Sequence, residues 1–507
     1  MNTRGYNVVL FLGNAEAPIF EQALQCFPLH YCLSVCKKRE FMPSLHAQEH
    51  AWRHPDHVDD VDWNTITPLD EEWIERLRPC EARVLAMYER LEGRGHVLSY
   101  QERKRLYLRQ LRFCSHILTE EKIDLLLLTA IPHHGIAYIL SALCKEKNIP
   151  VLWMNQWDPF LDLFTLDESW EDPVPLIGQR LKTLQQSSVD PASLILIPPF
   201  EEYWNLQTGM GKQRQTSNLR PWYMVVHHEF AFFQWVRLVR GVFRKNFWQF
   251  IFHTITFLPR RMSPFFLWER LRRLLWYRHA RHMYRFYDKH AARQDLSKQY
   301  IYVPLHIQPE VTTLPMGGAF VDQILMLQML NALVPEDVLL YVKEHPLQQE
   351  LYPDGKGRSS VFYEDLLVCE KVRFVSKTQD THALTENAIA VATVTGTAGF
   401  EGLFRGKAVL LFGHRYFQYA SGVFMVRTVA DCNHALHTIL KGEGRVSPAD
   451  MRVFLKACEG IVQEGSIDVA HQGVSRFSPS ENAERVGKVI AGELVRRGWM
   501  KEGTRDE

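Results

Sequence analysis

A chain of 507 residues, 46% apolar and 23% charged, is longer than one ordinary core supports and has the composition of a soluble globular protein, so two domains are expected. A formal net charge of +1 supplies no bulk attraction for nucleic acid. The nine cysteines are scattered with no CxxC pair, and Cys32 and Cys36 lack a second ligand pair at zinc spacing. Reduced thiols in a cytoplasmic protein are the expectation.

In chain order, Asn7–Gly13 reads as a first β-strand ending in a glycine turn, too short for a secretory signal core. A helix is predicted over Pro18–Gln25 and a His- and Asp-rich surface loop over His46–Asp62. Glu71–Glu92 and Tyr100–Leu118 carry helical spacing with abundant charge. A βαβ unit follows: strand Ile123–Leu128, helix Pro132–Lys147, strand Val151–Met154. Continuous apolar strands alternating with helices imply a parallel sheet covered on both faces.

From Trp222 to Tyr287 the composition changes. Twelve basic residues, Arg237 to Arg285, face one acid, Glu269, and are interleaved with aromatics from Phe232 to Tyr277. Helical spacing puts aromatics on one side and arginines on the other, broken at Pro259 and Pro264. No apolar run reaches the ~20 residues of a membrane span. Two readings stand for this segment: aromatic helices packed into an interdomain core, or a surface that docks on anionic lipid.

A second α/β unit then begins with strand Tyr300–Leu305, helix Ala319–Leu333, strand Val338–Val342, short strand Val372–Val375 and a helical turn Thr381–Glu386. Next come strand Ala388–Val394, a small-residue turn and short helix over Thr395–Leu403, and strand Ala408–Phe412. Phe424–Val426, a helix over Thr428–Leu440 and further amphipathic helices close the chain, with no internal repeat. The expected organisation is a first Rossmann-like domain at 1–221, a helical basic-aromatic linker or insertion at 222–290, a second Rossmann-like domain at 291–440 and C-terminal helices at 441–507.

Parallel sheets bind ligands beyond the carboxyl ends of their strands. Three strand ends in the second half carry polar clusters: His306 to Thr313, Lys343-Glu344-His345-Pro346, and Thr395 to Glu401. The last places hydroxyls and backbone N–H groups at a helix N-terminus, where the macrodipole favours an anion. His345 can donate to a phosphate oxygen, and Glu310 can act as a base or hold a hydroxyl. Lys343 and Arg415 are candidate counter-charges. Each feature has a plainer reading by itself: His-Pro as a turn, the glycines as close packing, Glu310 as a solvated acid, Glu401 as a first-turn acid. Convergence of all three on one sheet edge favours a nucleotide site. In the first half, His133 and His134 stand between strand and helix and would face the same cleft. Glu16, Asn155, Gln156 and Asp158 are lesser candidates, as is Asn14.

Gln308-Pro309-Glu310, Lys343-Glu344-His345-Pro346 and Thr395-Gly396-Thr397 with Glu401 resemble the capsule polysaccharide biosynthesis family, whose members include bacterial Kdo transferases. The His-Pro and small-hydroxyl turn is also similar to that of bacterial sialyltransferases using CMP-sugars. The resemblance covers Tyr300 to Arg427 well and Ile123 to Met154 loosely. It implies an α/β fold of two facing Rossmann-like domains of the glycosyltransferase B type, with a nucleotide-sugar donor held by the second. His345 would contact the donor phosphate, Thr395, Gly396 and Thr397 would cradle it, and Glu401 would bind the ribose. Gln308 and Lys343 belong to the same donor side. Glu310 would lie near the anomeric centre as base or charge stabiliser. His133 and His134 fall on the side of a glycan or lipid-linked glycan acceptor. No Asp-x-Asp follows a strand, so metal-independent transfer without a cofactor is expected. A CDP-polyol phosphotransferase of the teichoic-acid type and a non-catalytic envelope-assembly scaffold are the alternatives. A lipid-linked acceptor would make peripheral docking of 222–287 at the inner face of the membrane useful.

Overall fold

The computed structural model describes residues 5–13, 16–56, 58, 61–91, 98–160, 162–187, 189–209, 278–309, 313–352, 355–467 and 475–502. It contains two sheets. The first comprises β1 (Tyr6–Phe11), β2 (Leu29–Val35), β3 (Ala47–Arg53), β4 (Leu125–Leu128), β5 (Val151–Gln156), β6 (Leu163–Asp167) and a two-residue strand, Gln463–Glu464. Their order is Gln463–Glu464, then β6-β5-β4-β1-β2-β3. The pairs from β3 to β5 are parallel, whereas β6 and Gln463–Glu464 add antiparallel to the edge. Helices α1 (Ala17–Leu24), α2 (Glu71–Arg76), α3 (Arg78–Leu91), α4 (Tyr100–Glu120), α5 (Gly135–Glu146), α6 (Leu176–Gln186) and α7 (Pro198–Thr208) come from the same part of the chain, although α6 and α7 bury their apolar residues with those of β11 in the second sheet.

The second sheet is wholly parallel, with order β12-β11-β10-β7-β8-β9. Its strands are β7 (Tyr300–Pro304), β8 (Leu339–Lys343), β9 (Val372–Phe374), β10 (Ala390–Thr393), β11 (Ala408–Leu411) and β12 (Val423–Met425). Its helices, after a helix α8 described over 278–290, are α9 (Gln323–Leu333), α10 (Gln348–Leu351), α11 (Ser360–Val368), α12 (Thr381–Asn387), α13 (Thr397–Phe404) and α14 (Val429–Leu440). Near-continuous burial along β7, β8, β10 and β11 is what a parallel sheet covered on both faces requires. The expected two Rossmann-like α/β domains are therefore present.

Two expectations need correction. The polar stretch after His46 is not all loop: Ala47–Arg53 forms β3, a half-exposed edge strand paired with β2. Its exposed residues, Gln48 and Glu49, are polar, which suits an edge and hides the strand from apolar periodicity. The end of the basic-aromatic segment is not linker. In 278–290, Ala280, Met283, Tyr284 and Tyr287 are buried in the core of the second sheet, while Arg278, Arg281 and Arg285 face outward. That is the amphipathic arrangement expected from the sequence. The remainder of the segment, 222–277, lies outside the described residues, and the membrane-docking expectation with it. The last helices return to both sheets. Helix α15 (Pro448–Cys458) shares an apolar cluster with α6, α7 and α13, and α16 (Pro479–Arg496) packs on α1 in the core of the first sheet. Among the described residues, no helix is long and apolar enough to cross a membrane.

The halves meet through specific contacts at their facing edges. Tyr416 stacks on Trp157 with centroids 4.0 Å apart and donates to Asp158 O at 2.8 Å. Arg90 at the end of α3 donates to Leu314 O at 3.1 Å, and Lys356 Nζ donates to Arg90 O at 2.7 Å.

Candidate functional site

Strand order fixes where ligands can enter. In the second sheet the chain runs outward from β7 to β9, then returns to place β10, β11 and β12 on the other side of β7. The crevice beyond β7 and β10 is thus a topological switch point, the usual ligand position in such sheets. With β8 adjacent to β7, all three polar clusters share one edge.

At the β7 end, His306 is buried and bridges the crevice. Its Nε2 lies 3.1 Å from Thr393 Oγ1 and accepts from Thr395 N at 3.2 Å. Thr393 Oγ1 in turn accepts from Gly396 N at 3.0 Å. Two N–H groups of the expected cradle are therefore already bound by the protein, which corrects the picture of a bare turn. A Cβ on Gly396 would lie 2.8 Å from Thr393 Oγ1 and 3.0 Å from His306 Cε1, so this turn needs glycine. The donors left are the next ones. Gly396 is the N-cap of α13 and gives no side-chain cap. Among the described residues, the N–H groups of Thr397 and Ala398 have no acceptor. A helix start with open N–H groups and its dipole pointing outward favours an anion.

His345, past the end of β8, is oriented by its neighbours. Leu347 N donates to its Nδ1 at 3.2 Å, so the neutral ring carries its proton on Nε2. Behind it stands a buried ion pair. Arg358 donates to both Glu344 oxygens, at 2.8 and 3.0 Å, and to His306 O at 2.6 Å. Tyr363 OH adds a 2.5 Å bond to Glu344, which accepts from His345 N at 2.8 Å. The Arg358 charge and these hydrogen bonds hold the Glu344 carboxyl below the usual range, although burial acts to raise it. One ion pair thereby ties the β7 and β8 ends together. Sequence reasoning placed Glu344 and His306 in the strand-end clusters without giving either a positioning role, and passed over Arg358. A charged residue beside His-Pro with an arginine downstream was the available signal.

Gln308 and Lys343 have internal partners. Gln308 N donates to Gln348 Oε1 at 2.7 Å and its side-chain amide to Thr313 Oγ1 at 2.8 Å. Lys343 is buried, and its Nζ donates to Gln379 O at 2.6 Å and Thr381 Oγ1 at 2.8 Å. Both groups hold loops through these bonds. Glu310 lies outside the described residues. Glu401, on the second turn of α13, is partly buried. Burial raises its carboxyl, opposed by Arg405 and His382, and none of the described side chains hydrogen-bonds its oxygens.

The first sheet has its own switch point between β1 and β4. There Gly13 and Glu16 follow β1, and His133 and His134 follow β4. His133 Nδ1 bonds Ile131 O at 2.7 Å, leaving Nε2 as an acceptor. Desolvation lowers His133 to about 4, with Arg90 adding to the effect, and lowers His134 to about 2, with His133 and Arg90 adding. Both rings are neutral at neutral pH. Asn155 and Gln156 serve the fold: Asn155 donates to Asp167 at 2.8 Å, and Gln156 to Leu163 O at 2.9 Å. Among the described residues, no group of three or more His, Cys, Asp or Glu side chains could hold a metal ion.

Residues 250–456 match the family model described as capsule polysaccharide biosynthesis protein, which bears out the resemblance over that segment. Similar solved structures include the beta Kdo 2,7 transferase of Thermosulfurimonas dismutans KpsC, 12% identical over 81% of this chain and 96% of that one, with a TM-score of 0.32. The beta Kdo 2,4 transferase of the same protein is 11% identical over 74% and 88%, with a TM-score of 0.31. A Methanocaldococcus jannaschii UDP-GlcNAc 2-epimerase, solved with UDP-GlcNAc and UDP, is 9% identical over 96% and 99%, with a TM-score of 0.24. No curated protein matches the chain.

Proposed function

We propose that this protein is a glycosyltransferase of capsule or surface-polysaccharide assembly that uses a nucleotide-activated sugar, namely a CMP-linked acidic sugar. The match of residues 250–456 to the capsule family supports this reading. The observation that carries it is the uncapped start of α13 at the β7/β10 crevice, with open N–H groups on Thr397 and Ala398 beside the threonine hydroxyls. A phosphate there completes the helix start, and a proton on His345 Nε2 suits the leaving phosphate. Glu401 would take ribose hydroxyls through its open carboxylate. Glu310 would serve the anomeric centre, where an oxocarbenium-like state needs a nearby carboxylate. A neutral imidazole such as His133, with Nε2 as acceptor, suits a sugar hydroxyl on the acceptor side. Transfer is proposed to be metal-independent, in the cytoplasm, onto a glycan or glycolipid.

The test is a thermal-shift and calorimetric screen of CMP, CDP, UDP, GDP and their sugar and polyol derivatives, because ligand binding raises apparent stability. Cytidine nucleotides should bind, and Glu310→Gln should abolish transfer while retaining binding. Tighter binding of CDP-glycerol than of any CMP-sugar would turn the assignment to polyol-phosphate transfer. Absence of all nucleotide binding would leave only the scaffold reading.

A further inference from the structure

Arg415 is 6% exposed, yet its side chain makes no hydrogen bond or ion pair among the described residues, and its Nε is fully buried without a partner. A buried guanidinium without an acceptor is costly. Arg358, equally enclosed, shows the normal solution with bonds to Glu344, His306 O and Gly357 O. The contact nearest to a partner for Arg415 is the Tyr416 ring, whose centroid is 5.7 Å away.

Disorder of the loop does not account for this. Gly413 N donates to Val394 O at 2.7 Å and His414 N to Met316 O at 2.9 Å. Arg427 binds the carbonyls of Phe412 and Gly413 at 2.7 and 2.8 Å. Tyr416 is pinned to Trp157 and Asp158 across the domain seam. The same loop walls the phosphate turn: a Cβ on Gly413 would lie 2.6 Å from Thr395 Cγ2. Arg415 follows two residues later, on extended backbone. Thr395 contributes a second orphan, because its Oγ1 is buried and has no partner. Asp167 on β6 is the acid whose field reaches Arg415. Burial raises its carboxyl to about 6, against the pull of Asn155, Thr165 and Arg415. It forms no ion pair with Arg415, and one of its oxygens is bound by Asn155.

We infer that Arg415, with the Thr395 hydroxyl, receives a second anionic group of the donor, beside the phosphate held at the start of α13. This rests on the nucleotide-sugar reading and sharpens it by requiring two anionic centres. A sugar carboxylate and the second phosphate of a diphosphate share that chemistry, and both match the donor fork of a guanidinium.

Calorimetry of the full-length wild type, Arg415→Gln and Arg415→Met with CMP, CMP-N-acetylneuraminate, CDP and UDP-N-acetylglucosamine tests this. The wild type should bind a ligand with a second anion at least about 10-fold more tightly than CMP, the size of one charge-assisted contact. Both variants should lose that advantage while CMP affinity stays within about 2-fold. An advantage for CMP-N-acetylneuraminate identifies a carboxylate, and one for CDP or the UDP-sugar a second phosphate. Equal loss for CMP and the others overturns the assignment, as does a wild type with no preference for the second anion. The free Arg415→Met protein should melt no lower than wild type, because an unpaired buried charge has been removed; a lower melting temperature would mean a structural partner and overturn the inference. If no nucleotide binds the wild type, the donor reading itself fails, an outcome distinct from binding without Arg415 dependence.

Discussion

The two switch points share a topology and differ in electrostatics. At β7/β10, the chain carries hydroxyls, open N–H groups at α13 and the Nε2 proton of His345. At β1/β4, it presents two imidazoles that desolvation and Arg90 keep uncharged, while Arg90 itself is spent on the carbonyls of Leu314 and His133. On the proposed function, the first of these edges would take an anion and the second neutral hydroxyls. The lesson is that the fold supplies two crevices, and local burial of charge decides which ligand each suits.

The largest way to break this contrast is to remove what holds the anion edge in shape. Arg358→Met leaves Glu344 buried without its counter-charge and should cost about 3–5 kcal/mol in urea unfolding at pH 7. Adding Glu344→Leu should recover much of that loss. The same pair sets an acid limit. The folded carboxyl of Glu344 is held below its usual value, so its stabilisation is present above the unfolded pKa of about 4.5 and is lost as pH falls through the folded one. The double variant should lack this component of acid unfolding.

Next in size are variants that set one edge against the other. His345→Ala should weaken nucleotide binding about 10- to 100-fold, the span of a hydrogen bond to a charged group. His133→Ala should leave it within about 2-fold. Calorimetry giving the reverse order would exchange the roles of the two crevices.

How much of this was legible beforehand follows from where the information lies. Apolar strands such as Leu125–Leu128 and Ala390–Thr393 announce a parallel sheet, and strand-end motifs mark the second crevice. The edge strand β3 escaped because its exposed positions are polar. The return of α16 to the first sheet escaped because an amphipathic helix does not encode which sheet it covers. Within the site, His345 and Thr397 were readable as residue types at strand ends. That Thr395 N and Gly396 N are already taken, and that Arg415 has no hydrogen-bond partner among the described residues, depends on distances between β7, β10 and the 413–416 loop, which no local pattern carries.

A smaller effect concerns the first crevice. His133 and His134 refuse protons in the folded state that they accept when unfolded. Stability should therefore fall as pH drops from about 6.5 toward 4, and His134→Asn should flatten that part of the melting profile. A wild-type profile flat over this range would mean the rings are solvated, and the neutral character of that edge would be lost.

The smallest expected effect is at Lys343. As a cation on a strand beside His345 it was expected to counter the donor phosphate, yet its ammonium is bound to Gln379 O and Thr381 Oγ1, and burial lowers its pKa with Asp380 opposing. A group with those partners stabilises the β8–α12 connection and contributes little to the ligand. Lys343→Met should shift unfolding by about 1 kcal/mol and change nucleotide affinity by less than about 2-fold. A loss near 10-fold, with stability unchanged, would mean the lysine turns into the crevice when a nucleotide binds. The anion edge would then be assembled by its ligand, whereas the neutral edge is formed in advance.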